Sequence, residues 1–263
     1  MSAEPVSKSL VNESVHQWTS AMRRMCVASP RFEEAAAEGV SIFWGDVDML
    51  IYNHAILNGR AETLDEFRTR FQFCRDYAAA RHRGWMFSVC EDWIPAGASQ
   101  ILVEAGLAVA MPLTGMVTTE LRPAREGSNH DIRPLSGRAG AELIGTINCT
   151  AYDMPLSWAA DTGWEGFFGP DVFSYALYHS EEAASTATVF VIENCLNVVA
   201  VATLPQYQRR GYAEAVMRKA LSEAMKATGI NRTVLHASRA GRPIYERMGY
   251  QPVVEFTAWS PSH

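Results

Sequence analysis

The feature that most constrains the fold of this chain is residues 198–213, where an apolar β-branched run, a short polar loop and an amphipathic pattern follow one another directly. The run ends at Pro205, and the loop contains Gly211. A strand, a glycine-bearing loop and a helix N-terminus in this order form an anion site, because the first backbone N–H groups of a helix lack intrahelical partners and the helix dipole places positive charge there. Gly211 leaves the backbone open to a ligand because it has no Cβ. The stretch therefore predicts a site for a pyrophosphate group.

An amphipathic helix is predicted directly after this loop. Apolar residues recur there at the three- and four-residue spacing of one buried face, and charged residues occupy the other side. Gly229 suits the C-terminus of this helix, and residues 232–236 read as the next strand. The glycine spacing alone is equally compatible with a plain β-α-β unit in which Gly211 only makes a tight turn.

Two motifs lie in order in this half of the chain. Residues 208–213 read Gln-Arg-Arg-Gly-Tyr-Ala, and residues 244–250 read Ile-Tyr-Glu-Arg-Met-Gly-Tyr. The first resembles the Gln/Arg-x-x-Gly-x-Gly/Ala loop of the GNAT superfamily, the acyl-CoA-dependent N-acyltransferases, and the second resembles its Leu-Tyr-x-Lys-x-Gly-Phe segment. The resemblance covers residues 131–259 and is much fainter before them. It implies an acetyltransferase that uses acetyl-CoA as co-substrate.

The resemblance also implies which residues bind acetyl-CoA. The backbone groups of Val201 and Thr203, on the strand before the loop, are expected to pair with the pantetheine amides. Ser238 stands where many relatives have an Asn that reaches the pantetheine arm or the thiolate, although its hydroxyl is equally suited to capping the last helix. The expected pyrophosphate loop consists of Gln208, Arg209, Arg210, Gly211, Tyr212 and Ala213. Arg239 and Arg242 are weaker candidates that also fit a solvent-facing position.

Tyr245 matches the family tyrosine that acts as general acid beside the CoA sulfur. Acyl transfer from a thioester to an amine needs a neutral amine, a donor for the developing oxyanion and a proton for the leaving thiolate. A phenol with an ordinary pKa of ~10 is protonated at neutral pH and can supply that proton. Tyr245 is therefore predicted to be catalytic, and the alternative is that it only packs on the sheet.

No general base can be assigned from the sequence. Many relatives carry a carboxylate on the strand before the loop, but residues 196–205 contain no Asp or Glu. Glu193 reads as a turn residue, and Asp153 and Glu165, which lie in the segment that shapes the acceptor site in relatives, each fit a surface position. That region is also rich in rings, which fit core packing better than a pocket for an aromatic amine. These rings are Tyr152, Trp158, Trp164, Phe167, Phe168, Tyr175 and Tyr178.

The chain is predicted to form two α/β (α+β) domains, each a mixed, mostly antiparallel sheet flanked by helices. The polar stretch 121–130 suits a linker between residues 1–122 and 130–263. The element order of the first domain loosely repeats that of the second, but its Gln-x-x-Gly-x-Ala loop is missing. We therefore expect a tandem protein whose first half is a degenerate GNAT-like domain without cofactor binding, and an unrelated α/β cap is the alternative.

Several elements are predicted from patterning alone. Thr63 and Glu66 form a capping box that opens a helix to about residue 81. The last strand of the first half is expected to break near Pro112. Predicted strands are 40–44, 49–56, 85–90, 107–121, 132–135, 172–179, 187–192, 196–203 and 251–259, and predicted helices include 13–28, 98–105 and 137–152.

Composition excludes several classes of protein. The chain has no 18-residue apolar run and no secretory start, and its net charge of −6 gives no support for nucleic-acid binding. Its 5 cysteines never form a Cys-x-x-Cys pair and its histidines are scattered, which favours reduced thiols over disulfides or a metal site. We expect a cytoplasmic enzyme without a metal, nucleic-acid or membrane partner, and a homodimer is compatible with the sequence.

The predicted function is transfer of an acetyl group from acetyl-CoA to a primary amine of a small or amino-acid-like molecule. A related alternative is a tandem amide-forming transferase similar to mycothiol synthase. A different class of alternative is a non-catalytic acyl-CoA-binding sensor or assembly module, which the missing strand carboxylate favours and the retained Tyr245 disfavours.

Overall fold

The structure is a computed structural model that describes residues 7–124, 130–160 and 162–262. In chain order its helices and strands are α1 Lys8–Cys26, β1 Glu33–Ala37, β2 Val40–Trp44, β3 Asn53–Leu57, α2 Leu64–Ala79, β4 Met86–Cys90, α3 Ala98–Glu104, β5 Leu107–Thr118, β6 Asp131–Pro134, α4 Gly137–Ala151, α5 Ser157–Ala160, β7 Val172–His179, β8 Glu182–Ile192, β9 Cys195–Thr203, α6 Tyr212–Thr228, β10 Thr233–Ser238, α7 Arg242–Met248 and β11 Gln251–Pro261.

The chain divides into two compact units that are not continuous in sequence. The first unit contains the chain up to Met116, the segment His236–Arg242 and the segment from Pro252 onward. The second contains Val117–Leu235 and Pro243–Gln251. Two segments of the predicted domain 130–263, His236–Arg242 and the one from Pro252 onward, therefore lie in the first unit. Residues 125–129 of the expected linker lie outside the described residues.

The first unit is built on a mixed sheet that includes a strand from the end of the chain. Strands β1, β2 and β3 pair antiparallel, β4 runs parallel to β3, and β11 pairs antiparallel with β4. Helices α2 and α3 pack against one face of this sheet. Their shared core includes the fully buried rings of Phe67 and Phe87 together with Leu102 and Trp259. Burial of such side chains is the main favourable term in folding.

The second unit is a sheet in the order β6–β7–β8–β9–β10, antiparallel except for the parallel pair β9–β10. Helix α6 packs on β7, β8 and β9 through the predicted apolar face, whose buried residues include Val216, Met217, Ala220, Leu221 and Ala224. Gly229 follows the helix with φ 73°, as its predicted C-terminal role requires. Helix α4 packs on β9.

One order of elements occurs twice along the chain. The run β2-β3-α2-β4-α3-β5 corresponds to β8-β9-α6-β10-α7-β11, with an antiparallel pair followed by a parallel pair in each case. The predicted fold class, mixed and mostly antiparallel sheets flanked by helices, is confirmed.

Three local predictions differ from the structure. The strand predicted over 49–56 starts only at Asn53, because Leu50–Tyr52 forms a 3-10 turn. The buried Asn53 amide holds this turn by donating to the carbonyls of Val47 at 2.7 Å and Gly84 at 2.8 Å. Strand β5 continues through the exposed Pro112 without the expected break. Strand β1 was not predicted, because Glu-Glu-Ala-Ala-Ala has a low strand propensity and forms an exposed edge.

All 5 cysteines lie in the described part of the chain, and all are buried free thiols. No helix within the described ranges is long and apolar enough to cross a membrane. Among the same residues, no cluster of three or more histidine, cysteine or acidic side chains has an arrangement suited to a metal ion.

Candidate functional site

Among the described residues of the second unit, the last residues of strand β9 have a partner strand on only one side. Within the second unit it pairs with β10 only through residues 196–198, and the last pair joins Val198 to Leu235. On the other side it pairs with β8 as far as Thr203. The β8–β9 register shifts at a bulge where Ala200 has φ 50°, a left-handed conformation that is uncommon outside glycine. The strand therefore presents a bent, one-sided backbone just before the loop.

The bulge is held by buried hydroxyl groups on β8. The Ser185 hydroxyl donates to the Ala202 carbonyl at 2.8 Å, and the Thr186 hydroxyl donates to the Ala200 carbonyl at 3.4 Å. Both side chains are fully buried. These bonds replace ladder bonds that the register shift disrupts, so the unusual backbone of this segment is fixed by the strand beside it.

The backbone carbonyls of Val201 and Thr203, which are predicted to face the pantetheine arm, each accept a hydrogen bond from one side chain. The Tyr152 hydroxyl donates to the Val201 carbonyl at 3.3 Å. The Gln208 side-chain amide donates to the Thr203 carbonyl at 3.3 Å. Both bonds are long, and both donors belong to side chains that are largely exposed. A ligand with amide groups can therefore displace them at little cost.

The loop after β9 leads into a helix N-terminus without a side-chain cap. Arg209 and Gly211 both have left-handed backbones, with φ 60° and φ 81°. Gly211 is the N-cap of α6, and its carbonyl accepts from the Ala215 N–H at 3.0 Å. A Cβ on Gly211 would meet no atom within 4 Å, so the space in front of the loop is open. Left-handed residues beside an uncapped helix start turn several N–H groups towards one point, which fits a phosphate group.

The loop carries two exposed cationic side chains and one tyrosine whose side chain is buried. Arg209 and Arg210 are exposed, and the Arg210 guanidinium lies 5.5 Å from the centre of the Tyr207 ring. The Tyr212 side chain instead turns inward and hydrogen-bonds to Nδ1 of His179 at 2.9 Å. Tyr212 therefore supports the start of α6 through its side chain and offers a ligand only its backbone. Ala213, the next residue of α6, is half-buried.

Tyr245 lies in α7 and is 9% exposed. Its ring packs edge-on against Tyr250, with 6.1 Å between ring centroids. Burial raises the pKa of Tyr245, and the phenols of Tyr152 and Tyr250 raise it further. The hydroxyl is therefore protonated at neutral pH, and no side chain in the described parts of the chain forms a hydrogen bond with it.

Ser238 and Arg242 belong to the first unit rather than to the unit that contains the loop. The Ser238 hydroxyl accepts from the Gly241 N–H at 3.3 Å, in the turn that leads to α7. This bond holds the turn between β10 and α7, and Ser238 itself lies at the end of β10, four residues before the helix begins. Arg242 forms an ion pair with Glu255 at 3.4 Å, whereas Arg239 is exposed.

The carboxylates considered as general bases all lie at exposed positions. Glu193 occupies the turn between β8 and β9 with φ 54°, and Asp153 has the same φ just after α4. Glu165 begins a one-turn 3-10 helix. Residues 196–203 of β9 contain no acidic side chain. No general base is identified.

The rings of the predicted acceptor segment are not equivalent. Phe167 is buried against Phe168 and Phe190, so the core-packing interpretation holds for it. Tyr152 is the exception, because it is 53% exposed and reaches the Val201 carbonyl. The sequence does not predict this contact. The only feature that points to it is the position of Tyr152 at the end of the predicted helix.

In the first unit, helix α2 occupies the position in the repeated order that α6 occupies in the second. Its N-terminus is capped by side chains. At the N-terminus of α2, the Thr63 hydroxyl accepts from the Glu66 N–H at 3.2 Å, which confirms the predicted capping interaction. The Glu66 carboxylate accepts from the Glu62 N–H at 2.8 Å. Asp65 and Glu66 also place negative charge in the first turn. This helix start therefore does not offer the free N–H groups that α6 does.

Comparison with known proteins agrees with this geometry. Residues 192–253, which include β9, the loop and α6, match the family model described as an acetyltransferase (GNAT) domain. This match agrees with the superfamily and the enzyme class that the sequence predicts for this part of the chain. No curated protein matches the chain in sequence.

Solved structures with this fold cover almost the whole chain at low identity. A GCN5-related N-acetyltransferase from Kribbella flavida is 18% identical, covers 95% of this chain over 96% of its own, and has a TM-score of 0.70. One from Sphaerobacter thermophilus is 11% identical over 86% of this chain and 81% of its own, with a TM-score of 0.58. A tandem GNAT protein from the clavulanic acid biosynthesis pathway is 12% identical over 95% of this chain and 96% of its own, with a TM-score of 0.51.

Proposed function

We propose that the second unit transfers an acetyl group from acetyl-CoA to a primary amine of a small molecule. The observation that carries the proposal is the uncapped, glycine-led start of α6 beside the one-sided edge of β9. The N–H groups of this helix start suit a pyrophosphate, and the strand edge suits an extended arm with amide groups. Pyrophosphate binding falls to Gln208, Arg209, Arg210, Gly211, Tyr212 and Ala213, and binding of the arm to the backbones of Val201 and Thr203.

The residues present also suit the chemistry of acyl transfer. When bound, acetyl-CoA supplies an acetyl group activated as a thioester. The amine nitrogen forms a bond to the carbonyl carbon while the carbon–sulfur bond breaks. Tyr245 donates its phenolic proton to the departing sulfur, and the proton lost by the amine restores the phenol. One proton therefore moves overall from nitrogen to sulfur, and the raised pKa of Tyr245 means that its phenol is protonated before the reaction begins.

The repeated element order supports a tandem arrangement in which only the second unit keeps cofactor binding. Residues 58–63 of the first unit lack the Gln-x-x-Gly-x-Ala pattern, and the helix after them caps itself. The acidic net charge of −6 favours a small amine over a nucleic acid as acceptor.

Substitution of Tyr245 tests the catalytic role. In Tyr245→Phe we expect acetyl-dependent thiol release to fall by ~100-fold or more, because the leaving sulfur loses its proton donor. The affinity for acetyl-CoA, measured by calorimetry, is expected to stay within about twofold of the parent. Tyr178→Phe is the matched control, since this tyrosine lies on β7 with its ring under the Arg133 guanidinium. Turnover that survives in Tyr245→Phe would remove the catalytic assignment.

A second candidate is a non-catalytic acyl-CoA sensor, which the absence of an acidic side chain from residues 196–205 favours. A sensor is expected to bind acetyl-CoA without releasing thiol in the presence of any amine. The same assay therefore separates the two functions.

A further inference from the structure

Two large apolar side chains are exposed in the short connection between α4 and α5. Tyr152 is 53% exposed and Leu156 is 60% exposed. Most other large apolar side chains of the described residues are buried, and Val103 is one of the few further exceptions. Neighbouring exposed apolar side chains often mark a binding surface.

This surface adjoins the proposed reaction site. The Tyr152 hydroxyl hydrogen-bonds to the Val201 carbonyl at 3.3 Å, on the edge of β9 that has no second strand. The Tyr152 phenol is also close enough to Tyr245 to raise its pKa. The ring of Tyr152 therefore stands beside both the strand edge proposed for the pantetheine arm and the proposed proton donor, which is the region where the thioester and the amine would meet.

The charge of the same segment suits an amine. Residues 151–160 contain one acidic residue, Asp153, and no Lys or Arg. Asp153 is exposed and follows Tyr152 directly in the chain, so a protonated amine is attracted to this segment and a free carboxylate is repelled.

We propose that the acceptor is a primary amine on an apolar aryl or alkyl body without a carboxylate, and that Tyr152 and Leu156 bind this body. The inference rests on the proposed acetyl transfer and deepens it by naming the substrate class. Tyr152 acts here as a specificity-determining residue, because its ring contacts the acceptor body, whereas Tyr245 donates a proton to the leaving sulfur.

Steady-state thiol release by the full chain with acetyl-CoA tests the proposal. The probes are 2-phenylethylamine, ethanolamine and phenylalanine, which vary the apolar body and the carboxylate separately. We expect kcat/KM for 2-phenylethylamine to exceed that for each of the other two by ~10-fold or more. Tyr152→Ala and Leu156→Asn are expected to reduce this preference by at least ~3-fold through a higher KM, whereas Tyr152→Phe keeps the ring and the preference.

Val103→Asn is the matched control, because Val103 is also 53% exposed but lies on α3 of the first unit. It is expected to leave all three kcat/KM values unchanged. Ethanolamine or phenylalanine used as well as 2-phenylethylamine would overturn this inference alone, as would variants with an unchanged preference. A changed molecular mass in Leu156→Asn with an unchanged preference would instead assign the surface to contact between two copies. Acetyl-CoA binding without thiol release from any amine would overturn the proposed function and this inference together.

Discussion

At the residue scale, two buried histidines make the free energy of unfolding of the first unit depend on pH. His54 lies between the Ile51 carbonyl and the Ser88 hydroxyl, and its Nε2 is 2.6 Å from that hydroxyl. His236 packs on Trp18, with 4.8 Å between ring centroids, and its Nε2 is 3.2 Å from the Ser14 hydroxyl. Burial lowers the pKa of His54 to about 4 and that of His236 to about 3.

These lowered pKa values predict a loss of stability in mild acid. An unfolded histidine has a pKa of ~6.5, so below that pH the unfolded chain binds more protons than the folded one. The free energy of unfolding should therefore be highest above pH ~6.5 and fall by up to ~1.4 kcal/mol per pH unit for each histidine as the pH decreases towards the folded values.

Urea unfolding at pH 7.5, 6.0 and 5.0 measures this effect. In His54→Gln about half of the slope between pH 6.0 and 5.0 should disappear. A free energy of unfolding that does not change over this range would show that neither histidine is held in its neutral form.

At the scale of single elements, the contrast between α2 and α6 explains why only one unit is expected to bind acyl-CoA. Both helices follow the second strand of the repeated order and lead to a strand that pairs parallel with it. The start of α2 is closed by Thr63 and Glu66, whereas the start of α6 carries Gly211 and no capping side chain. The local sequence decides this difference, and it could be predicted because capping residues and glycine act within a few positions.

The cap of α2 should be important for stability and irrelevant to the ligand. In Thr63→Ala we expect the free energy of unfolding to fall by about 1 kcal/mol, because the Glu66 N–H loses its acceptor. Ser136→Ala is the matched control, since Ser136 is the N-cap of α4 but forms no capping hydrogen bond. Chemical denaturation should separate the two variants, while the affinity for acetyl-CoA stays unchanged in both. Equal losses would mean that the Thr63 bond contributes nothing.

At the scale of the whole molecule, the end of the chain completes the first unit. Strand β11 follows α7 in sequence, yet it pairs with β4, and Trp259 lies opposite Phe87. Local patterning predicted the strand over 251–259 but could not predict its partner, because pairing between residues so far apart leaves no periodic signal in either segment. The contact of Tyr152 with Val201 escaped prediction for the same reason. The loop at Gly211 and helix α6 were predictable because their motifs are short and local, whereas the role of Tyr245 stays a prediction.

Trp259→Ala should therefore weaken the first unit more than the second. Removal of this buried ring is expected to cost about 3 to 5 kcal/mol, because it leaves a cavity beside Phe87. Amide hydrogen exchange should show loss of protection in β4 and retained protection in β8. The reverse order of protection would contradict the assignment of β11 to the first unit.

The most direct test of the account is calorimetric titration of acetyl-CoA into the parent chain and two glycine variants. Gly211 and Gly229 have similar left-handed backbones, with φ 81° and φ 73°, and a Cβ at either would meet no atom within 4 Å. Gly211→Glu and Gly229→Glu therefore introduce similar backbone strain at opposite ends of α6, but only the first places a carboxylate at the proposed pyrophosphate site. We expect the parent and Gly229→Glu to bind acetyl-CoA, and Gly211→Glu to bind it with an affinity at least ~10-fold lower. Absence of binding by the parent, or equal losses in the two variants, would contradict it.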